Sequence, residues 1–359
     1  MSHMTKLSST RRVAAVLAVA AGMAGLVALA IRPVLAVESP RGGEWLLESG
    51  REPGTVQFNL TVRSSHGYSS HGRTVVISRF TGLTAGQIDG RAAAVRFELK
   101  RDAGTFVCEG RVGAGRGAGL FELNLDPGFA AELARRGIGA PTEAEQARLA
   151  FEDVGLKVLD ELEAQRYPTP DLDELVTMGD HGVDYDFVHG LAASGYRLGS
   201  VQALVLTRDH GVDPAYVAEL ERLGHKGLSM DELVELRDHG VDAKYIREMM
   251  RLGLTRGSLQ EMRRARDHGV DPRYVAGMAA AGHHGMDLEE LIQTRDHGVD
   301  LRYVGEMASA GYNHLTLEEL IRARDHGVDA RFAKRINAQL KQPASLDRLI
   351  QIRDRGGWD

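Results

Sequence analysis

The tripeptide Asp-His-Gly recurs with its histidine at 181, 210, 239, 268, 297 and 326, and every interval is 29 residues. One further step lands on Arg355, in Asp354-Arg355-Gly356. Other columns keep the register. An aromatic ring recurs at Phe187, Tyr216, Tyr245, Tyr274, Tyr303 and Phe332, and an apolar residue at Leu175, Leu204, Leu233, Met262, Leu291, Leu320 and Leu349. A fixed period of this length marks a supersecondary unit that buries its apolar face only against its neighbours.

The unit from Ser229 to Gly253 reads as two short helices. Ser229 with Glu232 forms a capping box. Met230, Leu233, Val234 and Arg237 follow at helical spacing, and Gly240 supplies a left-handed residue that ends the helix. Asp242 caps the second helix, whose apolar face is Tyr245, Ile246 and Met249. In sister units Pro214 and Pro272 take the first helical position, where a missing N–H costs nothing. Helices this short are marginal alone in water, so stacking must hold them.

The period reaches backwards, since Asp126, Phe129 and Gly137 lie two steps before Asp184, Phe187 and Gly195. Residues 126–170 therefore read as a degenerate first helical repeat, with an altered length and one longer helix over 143–165. Residues 171–359 read as the regular solenoid.

Residues 43–125 have a different period. Val56, Phe58, Leu60 and Val62 alternate with polar neighbours, as in a half-buried strand. Segments 74–80, 94–101, 105–112 and 119–125 look similar, and the glycine-rich stretch 113–117 joins the last two as a hairpin. The expectation is a small antiparallel β domain of five or six strands, preceded by a linker over 37–43. The polar stretch 64–72, with His66 and His71, is expected as an exposed hairpin tip. The predicted fold class is thus α+β, multidomain: a small antiparallel β domain followed by an α-helical solenoid.

The N-terminus carries Lys6, Arg11 and Arg12 before an uncharged apolar run from Val13 to Ile31. Residues 1–36 read as a signal peptide or a single membrane anchor, with the rest of the chain outside the cytoplasm. The run is just long enough to span a bilayer, so anchoring in an inner membrane by residues 13–31 stays open beside cleavage and secretion. Met1-Ser2-His3-Met4 reads as a cloning remnant.

Composition excludes several classes. The net charge of -6 gives no basic surplus for nucleic acid. Cys108 is the single cysteine, so neither an internal disulfide nor a cysteine-based metal site can form. In its strand-like run Cys108 reads as a buried, inert thiol. There is no His-Glu-x-x-His, Gly-x-Ser-x-Gly or phosphate-loop motif. Catalysis needs unlike residues in a unique pocket, whereas near-identical units build one repeated surface. The reading is non-enzymatic, with no cofactor and no resident metal.

The pairs Asp180–His181, Asp209–His210, Asp238–His239, Asp267–His268, Asp296–His297 and Asp325–His326 form the one repeated polar column. An aspartate near a helix C-terminus opposes the helix dipole, so each must gain something tertiary. One option is the N-terminus of its own second helix; the other is an Arg or His of a neighbouring unit. The first reading is a buried structural ladder. A metal reading is weaker, because adjacent packed helices lie about 8–10 Å apart. A third reading is a set of histidines titrating together. The variable positions lie in the loops after each second helix: Arg197, His225, Lys226, Arg256, His283, His284, Asn313 and His314. These are the candidate contacts for a protein or peptide partner. A sensor that binds cell-wall glycan through the β domain is the alternative, with Trp45 and Tyr68 as its aromatic platform.

The unit Leu-x-x-Leu-[Ile/Val]-x-x-Arg-Asp-His-Gly-Val-Asp-x-x-[Tyr/Phe]-Val resembles repeats in extracytoplasmic parts of bacterial β-lactam-sensor-type (antirepressor) metallopeptidases and in stand-alone exported proteins. The β segment around Arg96-Phe97-Glu98-Leu99-Lys100-Arg101 resembles the one that precedes those repeats. That family's zinc protease is absent here, so the resemblance implies architecture and location and carries over no proteolytic residue.

Overall fold

The computed structural model describes residues 41–64, 67–254 and 258–356. The apolar run 13–31 lies outside them, as do His66 and Arg256. Among the described residues no helix is long and apolar enough to cross a membrane.

Seven strands form one antiparallel sheet: β1 (Gly42–Ser49), β2 (Thr55–Ser64), β3 (Gly67–Val76), β4 (Phe80–Thr81), β5 (Ala93–Arg101), β6 (Gly104–Gly113) and β7 (Arg116–Leu125). Their spatial order is β3-β2-β1-β7-β6-β5-β4. The sheet is strongly curled. Phe58 of β2 and Phe97 of β5 are separated in that order by three strands, yet their ring centroids lie 6.1 Å apart. Trp45, Phe80, Leu99 and Cys108 fill the same interior.

The glycine-rich hairpin has a packing cause. A Cβ at Gly110, Gly117 or Gly119 would stand within 3.0 Å of the Trp45 indole, so the ring lies directly on backbone. Only Ala114 and Gly115 form the turn, both at positive φ. Burial pushes the Cys108 thiol up to about 12, which makes it inert.

Several expectations need correction here. There are seven strands rather than five or six. The stretch 37–43 is not all linker, because β1 starts at Gly42. The strand foreseen over 74–80 is split, since β3 ends at Val76 and a single 3-10 turn leads to β4. Most of 64–72 is not a loop: β3 begins at Gly67 and pairs with β2 throughout.

A short helix, α1 (Ala85–Asp89), closes one end of the sheet. The remaining helices fall into two series. First helices are α3 (Glu143–Phe151), α5 (Leu172–Asp180), α7 (Val201–Asp209), α9 (Met230–Asp238), α11 (Leu259–Asp267), α13 (Leu288–Asp296), α15 (Leu317–Asp325) and α17 (Leu346–Asp354). Second helices are α2 (Pro127–Arg135), α4 (Leu156–Ala164), α6 (Tyr185–Ala193), α8 (Pro214–Arg222), α10 (Ala243–Arg251), α12 (Pro272–Ala280), α14 (Leu301–Ser309) and α16 (Ala330–Asn337). Within each series every start is 29 residues after the last. First helices pack on first helices and second on second, giving two layers.

The long helix expected over 143–165 is therefore two helices, and the unit keeps its 29-residue length. Its turn was hidden because Asp153, with φ +55°, takes the left-handed place that glycine holds in later units. Local chemistry sets every other boundary. Each first helix has a Ser, Thr or Asp cap that accepts from the third helical N–H. In the repeats, Val183 N–H bonds to Met178 C=O and Gly182 N–H to Gly179 C=O, a Schellman ending reproduced unit by unit.

The sheet docks on α3 and α4 through side chains that replace those of a repeat. Gly155 stands where later units have a capping aspartate and supplies no side-chain cap. Asp102, from the β5–β6 hairpin, accepts from Leu156 N–H at 2.8 Å instead. Glu152 stands at the histidine position of this unit. It accepts from Arg73 at 2.9 Å and bonds His71 Nδ1 at 2.5 Å. Burial alone would raise the Glu152 carboxyl; the bonds from His71 and Arg73 hold it below the usual carboxylate range. Arg101 is almost wholly buried and donates to the carbonyls of Ala150 and Phe151, both at 2.6 Å. Burial lowers its guanidinium to about 10.

Candidate interaction surface

Three polar contacts join each regular unit to the next. His181 Nδ1 bonds Asp209 at 2.6 Å, and the pattern continues as His210–Asp238, His239–Asp267, His268–Asp296, His297–Asp325 and His326–Asp354, all between 2.5 and 2.8 Å. Asp180 has Arg148 as its partner. Of the two partners foreseen for the aspartates, the neighbouring unit is the one used. The ladder is not buried, however. Its imidazoles are 35–44% exposed and its carboxylates 36–48%. The reason is positional: histidine caps the first helix at the rim, while the valine two residues later folds inward and is buried.

The residue before the Asp of this column, arginine in every regular unit after the first (Gly179), makes the second contact. Arg237 stacks on the Tyr216 ring of the preceding unit at 4.9 Å, and Arg208, Arg266, Arg295, Arg324 and Arg353 repeat this on their own preceding rings. The third contact is the phenol. Tyr216, Tyr245, Tyr274 and Tyr303 donate to the carbonyls of Val241, Val270, Val299 and Val328. Burial pushes the phenols of Tyr216, Tyr245 and Tyr303 up to about 12. The column Arg-Asp-His-Gly-Val is thus spent on holding units together.

The loops after the second helices differ from unit to unit. Arg197 is exposed and donates to Gln165 at 2.9 Å. Lys226, His284, Asn313 and His314 are exposed. His225 and His283 are half-buried, at the position where Tyr196 and Tyr312 sit in their own units. Desolvation lowers both imidazoles below the ordinary value, and His284 adds to the effect at His283. The tyrosines are structural clips that sequence reading passed over. Tyr196 donates to Leu228 C=O, Tyr312 donates to Ala344 C=O, and Tyr167 accepts from Leu198 N–H.

Sequence reading also passed over a charged row. The second residue of the second helix is Lys244, Arg273, Arg302 and Arg331 in four consecutive units, all exposed. In the first-helix layer the matching place holds Asp231, Gln260, Glu289 and Glu318, with Asp347 in the next unit. The signal was present once units are aligned, but a net charge of the whole chain averages the two layers away.

Trp45, one of two rings foreseen as a glycan platform, is wholly buried and donates its Nε1–H to Glu109 C=O. Tyr68 is exposed on β3 with Arg63 against its ring. Among the described residues no group of three or more His, Cys, Asp or Glu is placed to hold a metal ion. Comparison with known proteins returns no matching family model, no matching curated protein and no matching solved structure.

Proposed function

We propose that this chain is a non-enzymatic, extracytoplasmic scaffold whose helical array binds a protein or peptide partner. The observation that carries the reading is the division of labour within each unit. Recurrent residues make the His–Asp, Arg–ring and Tyr–carbonyl contacts between neighbours, while the loop and outer second-helix positions differ from unit to unit. Arrays of this kind present such positions as an extended binding face. The N-terminal apolar run supports a location across the membrane, and the resemblance to extracytoplasmic sensor repeats agrees with it. The glycan-sensor alternative loses one of its two rings to the core.

The test is capture from an extract of the native host with the immobilised full chain. A second bait carries Lys226→Glu, His284→Glu and His314→Glu. One discrete protein held by the first bait and lost from the second is the expected result. Equal capture by both baits, or none by either, would sink the reading.

A further inference from the structure

A helix-interior glycine normally has a packing reason, because glycine weakens a helix. Three helical glycines of the array have one. A Cβ at Gly179 would meet Val154, one at Gly190 would meet Pro214, and one at Gly277 would meet Leu301. Gly305, in α14, has none: its Cβ would meet nothing within 4 Å. The places one and two units away are Ala276, Arg247 and Lys334. Gly305 instead lies in the wall of a groove of about 260 Å³, between the end of one unit and the second helix of the next. Val304, Ala308 and Leu320 line its apolar part, and the loop residues His283 and Asn313 complete its rim. Burial is the first cause that lowers the His283 imidazole, before the charge of His284.

Arg302 lies one turn before Gly305 on α14, which brings the basic row beside the groove. Lys244, Arg273, Arg302 and Arg331 run along the same outer face, with Arg247 and Lys334 one turn further along their helices. Glu248 and Glu306, two units apart in one column, are the acidic exceptions, and Arg302 holds Glu306 at 2.7 Å. A chain with an overall charge of -6 thus carries a strip of exposed basic side chains in its C-terminal units, each two positions after a capping aspartate. The strip flanks an opening smaller than the roughly 300–1,000 Å³ of sites for drug-sized ligands. It suits one side chain, not a cofactor.

We infer that Gly305 opens a docking site for an acidic peptide segment, which lays its carboxylates along Lys244, Arg273, Arg302 and Arg331 and inserts one aliphatic side chain into the groove beside His283. The site rests on the partner-binding reading and gives that partner its chemistry. Charge complementarity selects an acidic occupant, and the apolar groove selects a peptide over a uniform polyanion. The missing Cβ lets the peptide come close to the helix.

The test is fluorescence anisotropy with the purified full chain. One probe is a labelled synthetic peptide of glutamate and glycine with a single central leucine; the other has serine there. Inorganic polyphosphate serves as a competitor without side chains. The leucine probe should bind about tenfold tighter, the scale of burying one aliphatic side chain, and both should weaken as salt rises. Gly305→Leu should erase the leucine preference while leaving the serine probe's affinity. Arg302→Glu with Arg331→Glu should weaken both probes. Circular dichroism checks that each variant is folded, and Gly305→Ala, which fits the open space, provides a second, milder filling of the groove. Equal binding of the two probes would overturn the inference, as would a preference that survives Gly305→Leu. Polyphosphate competing without any leucine preference would assign the strip to anionic polymers. If the immobilised chain captures its protein through the loops but binds neither probe, only this site fails. If both experiments fail, the partner-binding reading fails with it.

Discussion

His225 and His283 occupy the place that follows a Schellman glycine, where an apolar side chain normally packs on the last turn. Desolvation favours their neutral form. Lowered folded values mean that their contribution to stability is full above about pH 6.5, the ordinary imidazole value. It is lost as pH falls below that through the folded values. A chain with His225→Leu and His283→Leu should therefore lose less thermal stability between pH 7 and pH 5 than the parent, measured as paired melting points. Equal losses would refute the assignment. Gly305→Ala should raise stability by about 0.5–1 kcal/mol, the cost of glycine in a helix interior, read from a urea midpoint at constant slope. Two kinds of ladder contact should then differ in worth. Exposed ion pairs contribute about 0.2–1 kcal/mol, so a double-mutant cycle on His239 and Asp267 should return a coupling in that range. Tyr245→Phe leaves the buried carbonyl of Val270 without its donor and should cost about 1–3 kcal/mol. A coupling larger than the tyrosine effect would reverse this order. At this scale the sequence showed which residues recur and which helix each one ends. It did not show exposure, because a residue at a helix end faces the rim or the interior according to how the next helix leaves.

Elements were legible wherever their signals were local. The caps, the left-handed glycines and the first-position prolines placed the regular helices, and alternation placed β2. Failure came where a distant residue supplied the signal. The break between α3 and α4 has Asp153 in place of glycine and takes its cap from Asp102, 53 positions before Gly155 in sequence. No window around residue 155 contains that information. The part of β3 up to Gly72 was read as a loop for a related reason: its serines, His71 and glycine look like one until β2 pairs with them. The same long-range contacts carry a prediction. Arg101→Ala removes the donor to two buried carbonyls and to Asp153 at 3.5 Å. It should cost about 3–5 kcal/mol, the scale of breaking a buried charged contact. The loss should fall on the junction, so in a Trp358→Phe background, where Trp45 of the sheet is the one reporter, urea unfolding followed by tryptophan fluorescence should separate from that followed by helical circular dichroism. Coincident curves would place Arg101 outside the coupling between sheet and array.

For the molecule as a whole the 29-residue period is a statement about stability. Each unit touches only its neighbours, so the array's stability is a sum of unit and interface terms. Removing residues 200–228 takes out one complete unit and brings Ser229 behind Gly199, in the cap position of Ser200. That chain should keep its helicity per residue and a cooperative melt. Removing one residue fewer puts Asp238 29 rather than 28 positions after His181 and leaves every later pair in step, so it should loosen that one interface and lower the melting point. A 28-residue deletion that behaves like the 29-residue one would mean that the ladder does not set register.

Asp102 caps α4 as an aspartate of the array would, and His71 and Arg73 hold Glu152 at the rim, so the curled sheet stands in for a unit. Beyond that junction the His–Asp contact repeats from His181 to Asp354. Unequal recombination within the gene could lengthen or shorten the array anywhere behind Phe151 without disturbing the sheet-bearing end. The molecule is built like a measuring rod with one fixed stop, on which the distance to the far tip is an inheritable variable set in whole units.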